Sequence, residues 1–203
     1  MSAPVAIDLA RANALLGLAD RVASVPEYAK VRGIWFTVTA QHMRRSGEAA
    51  RLAWQAASGA KARRIYRLYR VRDLLEELAI AGAIENPDDP REGIRTIWQA
   101  GVATFVHSLI GRSVARLARP DPMTALRWVE RSRHLSCNYG TWWLEQISSD
   151  YAIMHVRDEY IWLDCAHRGG AEGTLQICAA SISVEPEMTS PFHGKLHMRW
   201  TPK

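Results

Sequence analysis

Basic side chains concentrate in one stretch of this 203-residue chain, where nine Lys or Arg residues and a single acid, Glu48, lie between Arg44 and Arg72. Helical spacing over 61–72 predicts three arginines on one face, with two tyrosines between them. Such a face can bind phosphates, and tyrosine rings can stack on bases, so nucleic acid or a nucleotide phosphate is a candidate partner. A solvated helix face, with arginines paired to nearby carboxylates, is the alternative. The candidate anion-binding residues are Arg63, Arg64, Arg67 and Arg70.

Thiols and imidazoles in the last third of the chain are ligands that zinc prefers. They are Cys165, His167, Cys178, His193 and His197. Neither a C-x-x-C nor an H-E-x-x-H pattern occurs, and buried free cysteines are common in protein cores. The sequence therefore disfavours zinc and predicts no metal ligand.

Aromatic side chains favour an apolar ligand pocket. Eight tryptophans are many for a chain of this length, and a pocket or a buried interface would explain the excess. His107 lies in the most apolar helical stretch, where it is either a haem ligand or, as we favour, a core histidine bonded to a backbone carbonyl. Adjacent Trp142 and Trp143 must point to opposite faces of a strand. The candidate pocket residues are Trp98, Phe105, His107, Trp143 and Trp162.

Catalytic signatures are absent from the sequence. It contains no G-x-S-x-G motif, no P-loop and no G-x-G-x-x-G, and its acids form no clear acid/base pair. The sequence does not exclude an enzymatic function, but it favours a non-enzymatic protein.

Composition sets the class of protein. With 48% hydrophobic and 23% charged residues, the chain is globular and is not disordered or collagen-like. The net charge of +5 is uneven, since residues 1–136 carry +8 (21 bases, 13 acids) and residues 137–203 carry −3 (5 bases, 8 acids). Three cysteines, the lack of a signal peptide and the lack of a membrane-length apolar run lead us to expect a cytoplasmic protein.

Helical periodicity dominates the first two thirds of the chain. It predicts a helix from Val5 to Ser24 and, after a short strand over 31–38, a polar helix through Ala57. A helix over 61–81 should stop at Gly82, and 86–90 should form a turn. Further helices are expected over 91–118 and 123–135.

After Ser136 the apolar residues recur about every second position, as in a strand, instead of at helical spacing. Three strands, 141–148, 151–156 and 159–165, are expected to form an antiparallel meander. A helix over 171–183, a loop over 186–191 and a last strand over 195–200 should follow. The predicted fold is α+β, with an N-terminal helical layer packed on a small C-terminal antiparallel sheet that one helix crosses.

One domain, 1–203, is expected from this length. It divides into an N-terminal helical extension (1–30), a mainly helical part (31–136) and a sheet-rich part (137–203).

Five stretches in this order carry a family resemblance: RLYRVRDLLEELA, PREGIRTIWQAGVATFVHSLIGRSVARL, DPMTALRWVERS, YIWLDCAHRGGAEGTLQICA and LHMRW. Together they resemble an uncharacterised paralogous family found in myxobacteria. More distantly, that family resembles the superfamily of vinyl-reductase-type ligand-binding domains, haem nitric-oxide-binding domains and TRAPP subunits. The best marker is the turn over 164–175, where Gly170 and Gly173 should let a helix approach the sheet closely.

The resemblance implies helices on a small sheet around an apolar pocket, a sensor or adaptor function, and frequent pairing into dimers. The chain departs from two motifs of the superfamily. It lacks the Tyr-x-Ser-x-Arg propionate motif of the haem-binding domains, and its cysteines are not clustered as in the vinyl-reductase-type domains. Haem and zinc are therefore both disfavoured, and the cofactor is left unknown.

We therefore expect a non-enzymatic regulatory or sensor protein that binds a small apolar or planar ligand, or a protein partner. The first alternative is a nucleic-acid or nucleotide-phosphate binder that uses the basic helix 61–72. The second is a structural homodimer or adaptor.

Overall fold

The computed structural model describes residues 8–107 and 121–203, except for the side chains of residues 103–107. The chain divides into two compact units, Met1–Ile97 and Trp98–Lys203, which we call the helical unit and the sheet unit. Helices and antiparallel strands together confirm the α+β class. No helix within the described residues has the length and apolar character needed to cross a membrane.

Short helices make up most of the helical unit. They are α1 (Leu9–Leu16), α2 (Leu18–Ser24), α3 (Ile34–Arg45), α4 (Glu48–Ser58), α5 (Val71–Glu85) and the first part of α6 (Pro90–His107). The single helix predicted over 5–24 is wrong, because Gly17 has φ +59 and ends α1 in the left-handed conformation that glycine adopts most easily. The first residues of that prediction, 5–7, lie outside the described residues.

The strand predicted over 31–38 is mostly helix. Only Lys30–Arg32 forms a strand, β1, and α3 begins directly after Gly33. The β-branched and aromatic residues of this segment favoured a strand, but Phe36, Thr39 and Met43 recur at helical spacing and are buried on one face of α3. Tertiary burial therefore overrides local strand propensity here.

The basic helix predicted over 61–72 is also wrong. Residues 59–67 are irregular, and Leu68–Arg70 forms strand β2, which pairs antiparallel with β1. Two backbone bonds tie the irregular segment to the start of α3, from Gly33 N to Arg67 O and from Ile34 N to Ile65 O. The helical period begins only at Val71, where the buried residues of α5 start.

Helix α5 continues past Gly82, where it was expected to stop. A Cβ atom on Gly82 would lie 2.6 Å from Pro90 O, and one on Gly93 would lie 2.1 Å from Gly82 O. These two glycines therefore allow the backbones of α5 and α6 to approach more closely than any side chain permits. The turn predicted over 86–90 is confirmed, and Asp89 Oδ1 accepts hydrogen bonds from the amides of Arg91 and Glu92 at the start of α6.

We expect Gly93→Ala to destabilise the protein by about 1–3 kcal/mol, since the new methyl group overlaps the Gly82 carbonyl. Gly170→Ala is the matched control, because its Cβ would meet only Trp98 Cε3 at an ordinary 3.7 Å. Urea unfolding followed by circular dichroism gives both free energies. Equal effects of the two substitutions would contradict the assigned close contact.

Within its described residues, the sheet unit contains the rest of α6, a four-stranded antiparallel sheet, two further helices and a π-helical turn. The elements after α6 are α7 (Pro122–Ser136), β3 (Thr141–Gln146), β4 (Tyr151–Arg157), the π-helical turn Leu163–His167, α8 (Arg168–Cys178), β5 (Ala179–Ser190) and β6 (His193–Pro202). The strand order is β3-β4-β6-β5. Alternate residues of β4 and β6, such as Met154 and its partner Leu196, face a core that Leu126 of α7 and Leu175 of α8 complete.

Three expectations for this unit are wrong. The third strand of the meander does not form, because residues 158–162 are irregular and Leu163–His167 is π-helical. The helix expected over 171–183 ends at Cys178, and the loop expected over 186–191 belongs mostly to β5. Pro186 is compatible with β5 because this strand lies at the edge of the sheet.

Gly170 and Gly173 do not serve the expected approach to the sheet. A Cβ on Gly173 would lie 2.4 Å from Gln99 O of α6, so this glycine allows a helix–helix contact. The short helix expected over 123–135 is confirmed as α7. Of the helix expected over 91–118, α6 is described to His107, and 108–118 lies outside the described residues.

Candidate functional site

The candidate pocket residues of the sheet unit are not all brought together. Trp98 is 3% exposed and its ring contacts that of His167 edge-on at 5.2 Å, while Trp162 is fully buried. Trp143 is 38% exposed and stacks on His155 at 4.7 Å. Its neighbour in β3, Trp142, packs against the core. The side chains of Phe105 and His107 lie outside the described residues.

Glu159 is the centre of a buried polar cluster that the sequence did not reveal. Its carboxylate, 1% exposed, accepts hydrogen bonds from Arg133 Nη2 at 2.8 Å, Tyr139 Oη at 3.1 Å and Trp142 Nε1 at 3.1 Å. The amide of Ile161 donates a fourth bond at 3.0 Å. A buried charge is tolerated when its oxygens are satisfied in this way.

His167 joins the same cluster through the π-helical turn. The amide of His167 donates to Trp162 O, and its Nε2 lies 3.4 Å from Glu159 Oε1. Trp98 and Trp142 contact its ring at 5.2 and 4.8 Å. Because the imidazole lies between two indoles and faces a carboxylate, it belongs to the packed interior of the sheet unit.

Electrostatics keep Glu159 ionised. Burial alone would raise its pKa, but the charges of Arg133 and His167 and the hydrogen bonds to the carboxylate lower the pKa to about 2. Burial beside this carboxylate raises the pKa of Tyr139 well above its ordinary value. One sequence signal could have indicated the cluster, because Arg133 follows Leu126 by seven residues and so lies on the same, buried face of α7.

We expect Glu159→Gln to destabilise the protein by about 3–5 kcal/mol, since Arg133 would remain buried without its counter-charge. The wild-type carboxylate has a depressed pKa, so its stabilisation is present above the unfolded value of 4.5 and is lost as pH falls towards about 2. In the variant, the free energy of unfolding should no longer show this fall with decreasing pH. Urea unfolding at several pH values between 4.5 and about 2 measures it.

Glu48→Gln is the control, because Glu48 forms a solvent-exposed pair with Arg51. Its unfolding midpoint should differ little from that of the wild type. If Glu159→Gln changed the free energy of unfolding only slightly, or left its dependence on acidic pH unchanged, the role of the buried pair would be contradicted.

The helical unit contains a groove of about 390 Å³, a volume in the range of small-molecule sites. It lies between α3, α4, α5 and the irregular segment 59–67, and its lining includes the buried rings of Phe36 and Trp54. Ala40, Ala62 and Ile65 add apolar surface. Trp54 Nε1 donates to Glu77 O at 2.9 Å, which fixes α4 against α5.

An ion pair forms part of the groove wall. Arg63 Nη2 donates to Glu77 Oε1 at 2.8 Å, and its guanidinium lies over the rings of Phe36 at 4.7 Å and Tyr69 at 4.9 Å. Burial raises the pKa of Glu77, and the bond from Arg63 opposes that rise. Arg63 is thus held in place from three sides.

The four candidate anion-binding arginines are dispersed by the fold. Arg63 lines the groove, whereas Arg64 and Arg67 are exposed and do not line it. Arg70 pairs with Asp73 at 3.0 Å. The continuous basic helix face expected from the sequence therefore does not form.

The cysteine and histidine candidates are likewise separated. Cys165 and Cys178 are buried free thiols, and burial raises the pKa of Cys178. His197 bonds to Tyr151 Oη and Glu187 Oε2 at 2.8 Å each, and His193 Nδ1 accepts from the amide of Asp158. No group of three metal-ligating side chains occurs within residues 8–107 and 121–203.

Solved structures similar to this chain include H-NOX proteins. A Fe(II) unliganded H-NOX protein from K. algicida is 13% identical with a TM-score of 0.61, over 85% of this chain and 97% of that chain. An H-NOX protein from S. oneidensis is 13% identical with a TM-score of 0.67, over 85% and 97%. An oxygen-binding H-NOX domain related to soluble guanylate cyclases is 11% identical with a TM-score of 0.60, over 84% and 93%. At these identities the likeness establishes an H-NOX-like fold.

The family described as "Protein of unknown function (DUF2378)" matches residues 25–201, and the chain belongs to that family. No curated protein matches the chain significantly.

Proposed function

We propose that this protein is a non-enzymatic sensor domain that binds a small planar or apolar ligand. The observation that carries the proposal is the groove of about 390 Å³ in the helical unit, lined by aromatic, aliphatic and cationic side chains. An H-NOX-like fold supports it, since the similar structures include a Fe(II) unliganded H-NOX protein and an oxygen-binding H-NOX domain in its oxygen complex. Buried free thiols suit a reducing compartment, in agreement with a cytoplasmic sensor.

A haem does not fit the residues that the structure describes. His167 is 7% exposed and is packed between Trp98 and Trp142 with Nε2 towards Glu159, so its imidazole is enclosed by protein side chains instead of facing an open pocket. The Tyr-x-Ser-x-Arg motif is absent, and the side chain of His107 lies outside the described residues. We therefore assign no step of sensing to haem.

Ligand contacts in the groove would join segments that are distant in the sequence. Ala40 of α3, Gln55 of α4 and Ile65 of the irregular segment all line it, and Glu77 of α5 lies at its wall. A ligand that binds only this folded arrangement stabilises it by mass action. Binding would thus change the stability of the helical unit, and a partner protein could respond by binding the stabilised form preferentially.

We expect N-phenyl-1-naphthylamine, a neutral planar probe, to bind the protein with an increase in its fluorescence and to raise the midpoint of thermal unfolding. Ala40→Phe should reduce both signals, because the added ring occupies groove volume. Ala57→Phe is the matched control, since Ala57 is exposed on α4 and does not line the groove.

Fluorescence titration and differential scanning fluorimetry measure the two effects. Absence of binding to the wild type would contradict a neutral planar or apolar ligand in the groove. Equal binding by the wild type and Ala40→Phe would place the site outside the groove and remove the observation on which the proposal rests.

A further inference from the structure

We infer that the natural ligand of the groove is an amphipathic anion, with a planar or apolar body and one acidic group that Lys61 and Arg44 bind. This inference rests on the proposed function, because it names the class of ligand that the same groove takes. The acidic group is a carboxylate, a sulfonate or a phosphate, all of which present anionic oxygens to ammonium and guanidinium groups.

Charge in the groove is unbalanced. Four of its lining side chains are cations, Arg44, Arg51, Lys61 and Arg63, and one is a carboxylate, Glu77. Two of the cations already have acidic partners, because Arg51 pairs with Glu48 and Arg63 pairs with Glu77. Within the described residues, the other two have no carboxylate partner.

Lys61 and Arg44 are therefore available to a ligand. Lys61 is exposed and makes no hydrogen bond or ion pair within the part of the chain that the structure describes, and Arg44 Nε donates only to Ala40 O at 3.3 Å. An anion between these two cations would be attracted by both. Arg64 and Arg67 are equally basic but lie outside the groove, so they do not add to its local charge.

Arg63 is not one of the cations available to the ligand. Its Nη2 is bound to Glu77, and its Nε is buried without a hydrogen-bond partner among the described residues. Arg133 has two such nitrogens, Nε and Nη1, in the interior of the sheet unit, so an unsatisfied guanidinium N–H does not by itself indicate a ligand. The acidic group of the ligand is therefore assigned to Lys61 and Arg44.

Apolar surface defines the remainder of the ligand. Phe36 and Trp54 form aromatic walls, and Ala40, Ala62 and Ile65 leave open space beside them. A volume of about 390 Å³ accommodates one small molecule. The combination of apolar walls with two available cations selects a small amphipathic anion over a neutral or cationic compound.

Two fluorescent probes that differ by one sulfonate test this inference. The probes are 1-anilinonaphthalene-8-sulfonate and N-phenyl-1-naphthylamine, titrated into the 203-residue chain at low and at high NaCl. We expect the sulfonate probe to bind more tightly, and its dissociation constant to rise with salt while that of the neutral probe stays constant. Competition by unlabelled aromatic carboxylates should displace the sulfonate probe.

Charge-removing variants locate the site. Lys61→Gln and Arg44→Gln should each weaken binding of the sulfonate probe by about two- to fivefold, the range of exposed charge pairs, and leave the neutral probe unchanged. Arg67→Gln is the matched control, since it removes one exposed positive charge outside the groove and should leave both probes unchanged. Both substituted groove residues are solvent-exposed, and circular dichroism verifies that the variants fold.

The outcomes separate the two proposals. Binding of both probes with equal affinity and no effect of Lys61→Gln would overturn the anionic ligand and leave the small-ligand sensor standing. Failure of both probes to bind would refute the sensor proposal and this inference together. If Arg67→Gln weakened the sulfonate probe as much as Lys61→Gln, anion binding would belong to the exposed segment and the groove assignment would be wrong.

Discussion

The buried carboxylate of Glu159 fixes how separate segments of the sheet unit meet. It is bound by Arg133 from α7, Tyr139 from the loop before β3, Trp142 from β3 and the amide of Ile161. Because each donor comes from a different segment, the irregular chain at 158–162 and the π-helical turn can persist without a strand's ladder of hydrogen bonds. The carboxylate supplies the acceptor that the local backbone pairing lacks.

The helical unit repeats this arrangement on its surface. Arg63 lies over Phe36 and Tyr69 and binds Glu77, just as Arg133 lies over Tyr139 and Trp142 and binds Glu159. The two pairs differ in their surroundings. The pair in the sheet unit is enclosed, with side chains that are 6% and 1% exposed, whereas Arg63 keeps 20% of its side-chain surface exposed and borders a groove.

Sequence patterns predicted the elements whose periodicity and burial agree. The buried face of α7 and the alternation of β4 were both visible, because one face of each element is apolar. The patterns failed where tertiary contacts decide the conformation. Residues 34–38 have strand-like composition but lie in a helix, and the basic run 61–70 has helical spacing but is held as an irregular segment and a strand by bonds to α3 and β1.

The groove does not coincide with the site predicted from the sequence. Its four lining cations lie within the basic run from Arg44 to Arg72, but spacing along one helix could not show that Arg44 of α3 and Lys61 of the irregular segment border a common groove. The irregular segment meets the start of α3 at Gly33, which lies against the Arg64 carbonyl; a Cβ there would be 2.3 Å from that oxygen. Such a contact between distant residues leaves no periodic signal.

A buried ion pair contributes little net stability, because desolvation offsets most of the attraction. The enclosed Arg133–Glu159 pair offsets that cost with a full set of donors around the carboxylate, and the result is a defined structure for an otherwise irregular segment. The carboxylate of the Arg63–Glu77 pair has fewer donors, and both guanidinium groups keep buried nitrogens without hydrogen-bond partners among the described residues, Nε of Arg63 and Nε and Nη1 of Arg133. The two pairs therefore differ in how fully the carboxylate is satisfied and in how far the arginine is exposed, because Arg63 borders the groove and Arg133 is enclosed. A ligand in the groove would exclude water from the exposed side of the Arg63–Glu77 pair and would so couple its binding to the electrostatics of the helical unit.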